Sequence, residues 1–342
     1  MKTSLWLWVI WFSMASSTVF AVSPEQAYQF GQQVYQKSCA SCHENAQGKA
    51  PSRAVLEHVS LTNILMAMEF GKMQPQAAGL SQQEKQAVAF FLGGKPDPNA
   101  DDWMVAAQCE SGAKPDPKRE ILSSGWGLSS VNSRHLSRAS SINQKNIDKL
   151  ELAWAFAFPK VTQARSQPVL TEDTLFVGSK NGNVFALDRE SGCIQWRYKA
   201  DVSVRSGLVL ADTSSRRVLY FADARSQTYA LDATSGTLLW KQSVALAQTS
   251  VVTGTPAIDG DTLYVPISSF EVAAAGMPSY PCCQSHGGVV ALSIEDGKKL
   301  WAWHATPDAT IQGKTRNGTP MFGPSGAAVW STPTIDKKRG LL

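Results

Sequence analysis

The sequence predicts an α + all-β protein in which a small all-α domain precedes a β-propeller. Three observations predict this fold: a Cys-x-x-Cys-His motif among helical segments near the N-terminus, a change after residue 119 to short apolar runs separated by Gly and Asp, and a repeat that ends in Trp. With 342 residues, 43% apolar and 18% charged, the chain is long enough for two domains. The net charge of +4 comes from Lys and Arg spread along the chain, so we expect no nucleic acid partner.

Residues 1–21 are expected to form a cleaved secretory signal peptide. Lys2 supplies a positive start, residues 5–14 are apolar, and the small residue Ala21 stands at the expected cleavage position. A membrane-spanning helix needs about 20 apolar residues, so the segment predicts export without a stable membrane anchor. The compartment would be oxidising, the periplasm of a bacterium, where disulfides and covalent haem can form.

Residues 22–94 predict a cytochrome domain because they contain the run Cys39 to His43 (CASCH). Two thiols three positions apart can both add to the vinyl groups of a haem, and the next imidazole can then bind the iron. A redox Cys-x-x-Cys pair needs no following His, and a zinc site needs a second pair of ligands. The motif therefore indicates haem c, held by Cys39 and Cys42, with His43 on the iron.

The flanking pattern predicts helices over residues 24–38, 61–70 and 81–92. Apolar residues recur at helical spacing in these segments, and Ser81 with Glu84 forms a capping box at the start of the last one. The domain is thus expected to be small and all-helical.

The second ligand of the haem iron is expected to be Met73. This residue lies between two glycines in a stretch that resembles the ligand loop of class I cytochromes c. Met66 and Met68 are alternatives, although a Met in a helix more often fills the core, and His58 could supply a second imidazole. A Met ligand raises the haem potential relative to a second His, so the predicted role is to accept and pass on single electrons.

Residues 95–119, with two Lys-Pro-Asp-Pro runs, are expected to be a linker to a propeller over residues 120–342. The motif Ala-Leu-x-x-x-x-Gly-x-x-x-Trp occurs three times there, ending at Trp196, Trp240 and Trp301. The first two copies are 44 residues apart, the length of a four-stranded propeller blade. We expect each copy to deliver an indole into the gap between neighbouring blades, with its N–H on a backbone carbonyl.

The third copy is delayed by 17 residues because residues 268–287 form an insertion that contains Cys282 and Cys283. Adjacent cysteines either close a strained ring or remain as free or separately paired thiols. A strained feature on an inserted loop suggests a functional surface. The remaining Cys109 and Cys193 are expected to pair with each other, because an odd thiol is a liability in an exported protein.

The haem motif, the Trp repeat and the adjacent cysteines together resemble the quinohaemoprotein alcohol dehydrogenases, which bind pyrroloquinoline quinone (PQQ) at the centre of an eight-bladed propeller. The order, with the haem domain first, is similar to the polyvinyl alcohol dehydrogenase branch. So are the runs at residues 280–283 (YPCC) and 323–336 (GPSGAAVWSTPTID). The run 125–127 (GWG), with Asn132 and Arg134, is also similar and is expected in the opening strand. The resemblance covers residues 30–342.

This resemblance implies roles for five residues of the propeller. Cys282 and Cys283 match a vicinal disulfide on one face of the quinone, and Trp330 matches an indole that stacks on the other face. Arg165 and Arg205 occupy corresponding strand starts, from which either could reach the carboxylates of the quinone. Ca²⁺ is a further cofactor that the resemblance implies.

The activity that the resemblance implies is oxidation of polyvinyl alcohol or a similar secondary alcohol, with electrons passing to haem c and on to an external acceptor such as a soluble cytochrome c. Another alcohol, a sugar or an aldehyde as substrate, and a non-catalytic propeller scaffold, remain alternatives. Residues 125–342 provide only four or five of eight blades. We therefore expect the chain to be an N-terminal fragment, with the calcium ligands and the catalytic carboxylate of the family beyond Leu342. By itself the fragment is expected to be inactive.

Overall fold

The computed structural model describes residues 24–44, 50–57, 59, 61–69, 72–93, 102–128, 134–135, 140–158, 161, 164–276 and 279–342. The expected signal peptide and His58 lie outside these ranges. No helix within the described ranges is both long enough and apolar enough to cross a membrane.

The first domain is all-helical, as the sequence predicts. Its core lies where the first and last long helices cross, and Gly31 allows the close approach because a Cβ there would lie 2.0 Å from the carbonyl oxygen of Ala87. Tyr35 is fully buried beside Phe91, with their ring centroids 5.3 Å apart. The helices are α1 (Pro24–Ser38), α2 (Ala40–His43), α3 (Arg53–Leu56), α4 (Leu61–Glu69), α5 (Gln74–Ala77) and α6 (Gln82–Gly93).

The predicted capping box at the start of α6 is confirmed. The Glu84 carboxylate accepts a 2.7 Å hydrogen bond from the Ser81 amide, and the Ser81 hydroxyl accepts one of 3.2 Å from the Glu84 amide. The bonds donated by Ser81 hold the pKa of Glu84 below its usual value. Two amides that would otherwise lack partners at the helix start are thereby satisfied.

The second part of the chain forms antiparallel sheets. The strands are β1 (Ile121–Ser123), β2 (Val169–Thr171), β3 (Thr174–Gly178), β4 (Asn183–Asp188), β5 (Ile194–Lys199), β6 (Val209–Asp212), β7 (Arg217–Ala222), β8 (Gln227–Asp232), β9 (Leu238–Ser243), β10 (Ser250–Val251), β11 (Ala257–Asp259), β12 (Thr262–Ser269), β13 (Gly288–Ser293), β14 (Lys299–His304), β15 (Thr310–Lys314) and β16 (Pro320–Gly323).

Three sheets of the described ranges are blades of four strands. Strands β2–β5 form blade 1, β6–β9 form blade 2 and β11–β14 form blade 3, and within each blade a strand pairs with the next along the sequence. Strand β1 extends the first sheet by pairing with β2, and β10 extends the third by pairing with β12. Strands β15 and β16 form a separate ribbon. The complete ring of eight blades stays a prediction.

The expected opening strand at residues 125–127 is wrong. The strand that opens the sheet is β1, and residues 125–127 follow it in a turn that the Leu128 amide closes by donating to the Gly125 carbonyl at 3.0 Å. The cause is local, since Gly127 has φ +73° and Leu128 has φ +74°, which extended strand backbone does not allow.

Strand β7 shows how the blades stack. Its side chains alternate between two cores: Leu219 and Phe221 pack with residues of blade 1, whereas Val218 and Tyr220 pack with residues of blade 3. All these side chains are almost fully buried. A strand covered on both faces has no polar side, which explains the unbroken apolar run in its sequence.

The indoles of the first two repeats connect neighbouring blades as predicted. Trp196 donates its Nε1–H to the Ala233 carbonyl at 2.9 Å, and its ring lies over Gly236 of blade 2. Trp240 makes the same contact with blade 3, where its Nε1–H bonds to the Ile294 carbonyl at 3.1 Å. Two constraints require glycine at position 236. Its φ is +70°, and a Cβ there would lie 2.7 Å from the Trp196 ring.

The third indole, Trp301, is 44% exposed on the outer strand β14. The described residues contain no following blade of four strands, so its docking stays a prediction. A further indole, which the sequence analysis missed, docks onto blade 1. Trp154 donates its Nε1–H to the Arg189 carbonyl at 3.0 Å and covers Gly192. Trp154 precedes Trp196 by 42 residues, close to the repeat length, and this spacing is the signal that could have identified it.

The segment predicted as a linker is attached to blade 1 over its described part. Helix α7 (Asp102–Ala106) buries Met104 against the apolar residues of β4. The Ile194 amide donates to the Ala107 carbonyl at 2.7 Å, and the Cys109–Cys193 disulfide covalently closes the same contact. The predicted pairing of these two cysteines is confirmed.

We predict that Gly236→Ala destabilises the propeller more than Gly260→Ala. Both glycines have positive φ, which costs a side chain about 1–2 kcal/mol, but nothing lies within 4 Å of a Cβ at Gly260. At Gly236 the methyl group also overlaps the Trp196 ring, for a further cost of about 1–3 kcal/mol. Urea denaturation followed by Trp fluorescence measures both, and equal losses of unfolding free energy would contradict the docking role.

Candidate cofactor sites

One end of the blades collects the predicted cofactor residues of the propeller. Because successive strands are antiparallel, the turn between the second and third strands of a blade lies at the same end as the connection to the next blade. Lys180 lies in such a turn of blade 1, and the insertion with Cys282 and Cys283 replaces it in blade 3. Arg165 and Arg205 precede the inner strands β2 and β6 at this end. We call it the cystine end.

Trp330 occupies the same register position as the two arginines. Arg165, Arg205 and Thr253 each stand four residues before the start of an inner strand, β2, β6 or β11. Trp330 stands three residues before Pro333, as Arg165 stands before Pro168 and Thr253 before Pro256. Pro333 lines a cavity of about 230 Å³ together with residues of the inner strands of blades 2 and 3. The segment after Trp330 therefore lies along the inside of the blades. The Trp330 side chain is 67% exposed.

Cys282 and Cys283 form a disulfide across a cis peptide bond. The Phe322 amide donates to the Cys282 carbonyl at 2.8 Å, and the Gly326 amide donates to the Ser285 carbonyl at 2.9 Å. The Val329 amide, next to Trp330, donates to the Ile267 carbonyl of β12 at 3.1 Å. The first two bonds join residues 280–285, which we call the cystine loop, directly to residues 322–330, which we call the Trp330 segment.

Three cations converge at the cystine end of blades 1 and 2. Arg165, Lys180 and Arg205 line one small cleft together with Ser203 and Val204. Burial lowers the pKa of Lys180, and the positive charges of both arginines lower it further. Burial and Arg165 likewise lower the pKa of Arg205. Such mutual repulsion makes the cleft a place where a bound anion is stabilised. Lys180 was missed from the sequence because a single Lys in a turn usually points into solvent.

The predicted haem ligand His43 is buried, with 7% of its surface exposed, at the end of α2. Its Nδ1 lies 2.7 Å from the carbonyl oxygen of Pro51. A carbonyl can only accept, so Nδ1 carries the proton and Nε2 carries the lone pair that binds a metal. Cys39 and Cys42 both have free thiols, and burial, followed by the neighbouring Cys42, raises the pKa of Cys39. These residues suit covalent haem with an oriented imidazole ligand.

The structure places the candidate second ligands in different surroundings. Met73 is half-buried immediately before α5 and borders the apolar core, whereas Met68 is 5% exposed within that core. The Met66 side chain and His58 lie outside the described residues. Met73 as the ligand stays a prediction.

The described residues offer no group of ligands for the expected Ca²⁺. Among the described residues, no group of three or more His, Cys, Asp and Glu side chains is placed to hold a metal ion. We therefore assign no residue of this chain to Ca²⁺.

A helical domain with an oriented haem ligand, followed by Trp-docked blades with a vicinal disulfide, defines a haem-linked propeller protein. Residues 26–92 match the model of the family described as "Cytochrome C oxidase, cbb3-type, subunit III". Residues 126–342 match the model described as "PQQ: Glucose/ethanol/alcohol dehydrogenase, beta-propeller domain". The chain belongs to this PQQ propeller family and carries a cytochrome c domain before the propeller.

The relatives include two polyvinylalcohol dehydrogenases. The protein of Sphingopyxis sp. (strain 113P3) is 34% identical over 355 residues, which cover 96% of this chain and 54% of the relative. The protein of Pseudomonas sp. is 33% identical over 332 residues, which cover 91% and 51%. The chain thus spans about half the length of these curated relatives. Among solved structures, a europium-containing methanol dehydrogenase is 23% identical, with a TM-score of 0.43 over 62% of this chain and 34% of that one.

We predict that Met73→Leu lowers the haem reduction potential and changes the visible spectrum of the reduced haem, because a thioether ligand stabilises the ferrous state. Met68→Leu, a change of similar volume within the core, should leave both unchanged. Redox titration followed by absorbance measures the two variants. A Met73→Leu protein with an unaltered spectrum would move the ligand to Met66, Met68 or His58.

Proposed function

We propose that this protein oxidises an alcohol with PQQ bound at the cystine end of the propeller, and that the electrons then pass to haem c in the first domain. The observation that carries the proposal is the junction of the Cys282–Cys283 loop with the Trp330 segment, which the Phe322 and Gly326 amides hydrogen-bond together. The junction places a polarisable disulfide and a large indole on adjoining segments at one end of the blades.

The residues at this end suit each part of a flat, anionic quinone. The disulfide and the Trp330 indole offer apolar, polarisable surfaces for the two faces of the rings. Arg165, Lys180 and Arg205 offer charge-assisted hydrogen bonds to the carboxylates. When bound, the quinone accepts two electrons from the alcohol. The protein residues named here bind and orient it.

The first domain would take these electrons one at a time. The proton on Nδ1 of His43 is held by the Pro51 carbonyl at 2.7 Å, so the imidazole can present only Nε2 to a metal. Cys39 and Cys42 would attach the haem covalently, and Met73 would complete the coordination of the iron. An external acceptor, such as a soluble cytochrome c, would then reoxidise the haem.

The substrate that we propose is polyvinyl alcohol or a similar secondary alcohol. Two relatives at 33–34% identity are named polyvinylalcohol dehydrogenases, and their similarity extends over both domains of this chain. The description of the propeller family, which mentions glucose and ethanol, keeps a sugar or a primary alcohol as the second candidate. The location that we propose is the periplasm, in agreement with the Cys109–Cys193 disulfide, which needs an oxidising compartment.

We predict that the full-length gene product, reconstituted with PQQ and Ca²⁺, shows reduction of its haem when a short secondary diol that mimics polyvinyl alcohol is added. Stopped-flow absorbance of the haem measures the reaction. The same protein without PQQ is the control, and it should remain oxidised.

Two other results would change the proposal. Reduction by glucose or ethanol, but not by the diol, would replace the substrate class. A haem that no alcohol, sugar or aldehyde reduces, in protein that has bound PQQ, would leave a non-catalytic scaffold as the better interpretation.

We predict that Lys180→Gln weakens PQQ binding at least about tenfold, because a charge-assisted hydrogen bond to a carboxylate contributes about 1.5–3 kcal/mol. Lys299→Gln, which removes the same charge from the exposed outer strand of blade 3, is the matched control. Fluorescence titration with PQQ measures both dissociation constants. Equal affinities in the two variants would remove the cationic cleft from the cofactor site.

A further inference from the structure

Glu271 is a buried carboxylate that the cofactor assignments leave without a role. It begins the short helix α8 (Glu271–Ala274) inside the insertion of blade 3, and it is only 3% exposed. A buried carboxylate is costly unless its charge is compensated. Here hydrogen-bond donors of the cystine loop supply the compensation.

Both oxygens of the Glu271 carboxylate accept bonds from this loop. Oε1 accepts from the Tyr280 hydroxyl at 3.1 Å and from the Gln284 amide at 2.8 Å. Oε2 accepts from the Ser285 amide at 2.7 Å and from the Ser285 hydroxyl. The Gln284 and Ser285 amides therefore donate to the Glu271 side chain of α8 and not to a backbone carbonyl.

The protonation equilibrium of Glu271 agrees with this geometry. Burial by itself would raise the pKa of the carboxyl, but the bonds donated by Ser285, Gln284 and Tyr280 outweigh it and hold the pKa below its usual value. Burial and the bond to Glu271 raise the pKa of the Tyr280 phenol. At neutral pH the pair is thus a carboxylate and a protonated phenol, which are the forms that bond to each other.

The donors lie on both sides of the cystine. Tyr280 precedes Cys282 by two residues and Gln284 directly follows Cys283, so one carboxylate fixes both ends of the short run that contains the disulfide. On the other side, the Cys282 carbonyl is held by the Phe322 amide of β16 at 2.8 Å. The cystine is therefore held between α8 and the segment that leads to Trp330.

We propose that Glu271 is the positioning residue of the Cys282–Cys283 platform: its carboxylate fixes the distance between the disulfide and the Trp330 segment, and so the width of the slot that receives the quinone. The inference rests on the proposed function only for the identity of the ligand. The attachment of the loop to Glu271 is a property of the protein without cofactor.

The test compares Glu271→Gln with the native protein. An amide has one oxygen and one NH₂ group, so at one of the two positions a donor would face a donor of the loop. Hydrogen exchange of the cofactor-free, full chain should show the Gln284 and Ser285 amides exchanging at least about tenfold faster. The PQQ dissociation constant, measured by fluorescence titration, should rise about tenfold.

Two further variants make the outcome specific. Glu295→Gln, the same change at an exposed position of blade 3, should alter neither quantity. Glu271→Asp keeps the charge and all four acceptor positions on a shorter side chain, so it should recover part of the PQQ affinity. If Glu271→Gln lowered only the melting temperature, with PQQ affinity as in Glu295→Gln, Glu271 would be a structural residue and the inference would be overturned.

The design separates this inference from the proposed function. Faster exchange in Glu271→Gln, together with no PQQ binding by the native protein, would contradict the proposed function while leaving the attachment of the loop established. Unchanged exchange would overturn the positioning role even in a protein that binds PQQ normally.

Discussion

The contact between an indole and the glycine turn of the next blade is the interaction on which the propeller depends. Each of Trp154, Trp196 and Trp240 lies on a glycine and donates its N–H to a carbonyl of the same turn. The contact combines a large apolar surface with a directional bond, so it fixes both the spacing and the rotation of neighbouring blades. The residues at the cystine end come from different blades, and this fixed geometry helps to bring them together.

The opposite ends of the blades thus have different tasks. The turns that receive the indoles depend on glycine and on backbone groups, and their chemistry is the same in each blade. At the cystine end the register positions differ from blade to blade, with Arg165, Arg205, Thr253 and Trp330 at equivalent places. The repeated fold therefore constrains the residues at the end that receives the indoles but not those at the cystine end. Each blade can contribute a different side chain to a ligand site there.

Much of this arrangement could be predicted from the sequence, because short motifs encode the chemistry directly. The run from Cys39 to His43, the adjacent cysteines and the Trp repeat need no knowledge of tertiary contacts. Other features depend on such contacts. Trp154 lies outside the Ala-Leu frame, Met104 is surrounded by prolines and aspartates typical of a linker, and Glu271 is buried only because the insertion folds over it. No local pattern distinguishes Met104 and Glu271 from surface residues, and Trp154 is indicated only by its spacing from Trp196.

The disulfide between Cys109 and Cys193 has a consequence for the first domain. It fastens the chain just after α7 to blade 1, and only eight residues of the sequence separate Gly93, at the end of α6, from Asp102, at the start of α7. Even fully extended, such a stretch reaches about 30 Å. The first domain is therefore tethered close to the propeller, at an effective concentration in the millimolar range. Because the tether is intramolecular, the frequency of contact between the two domains does not depend on the protein concentration.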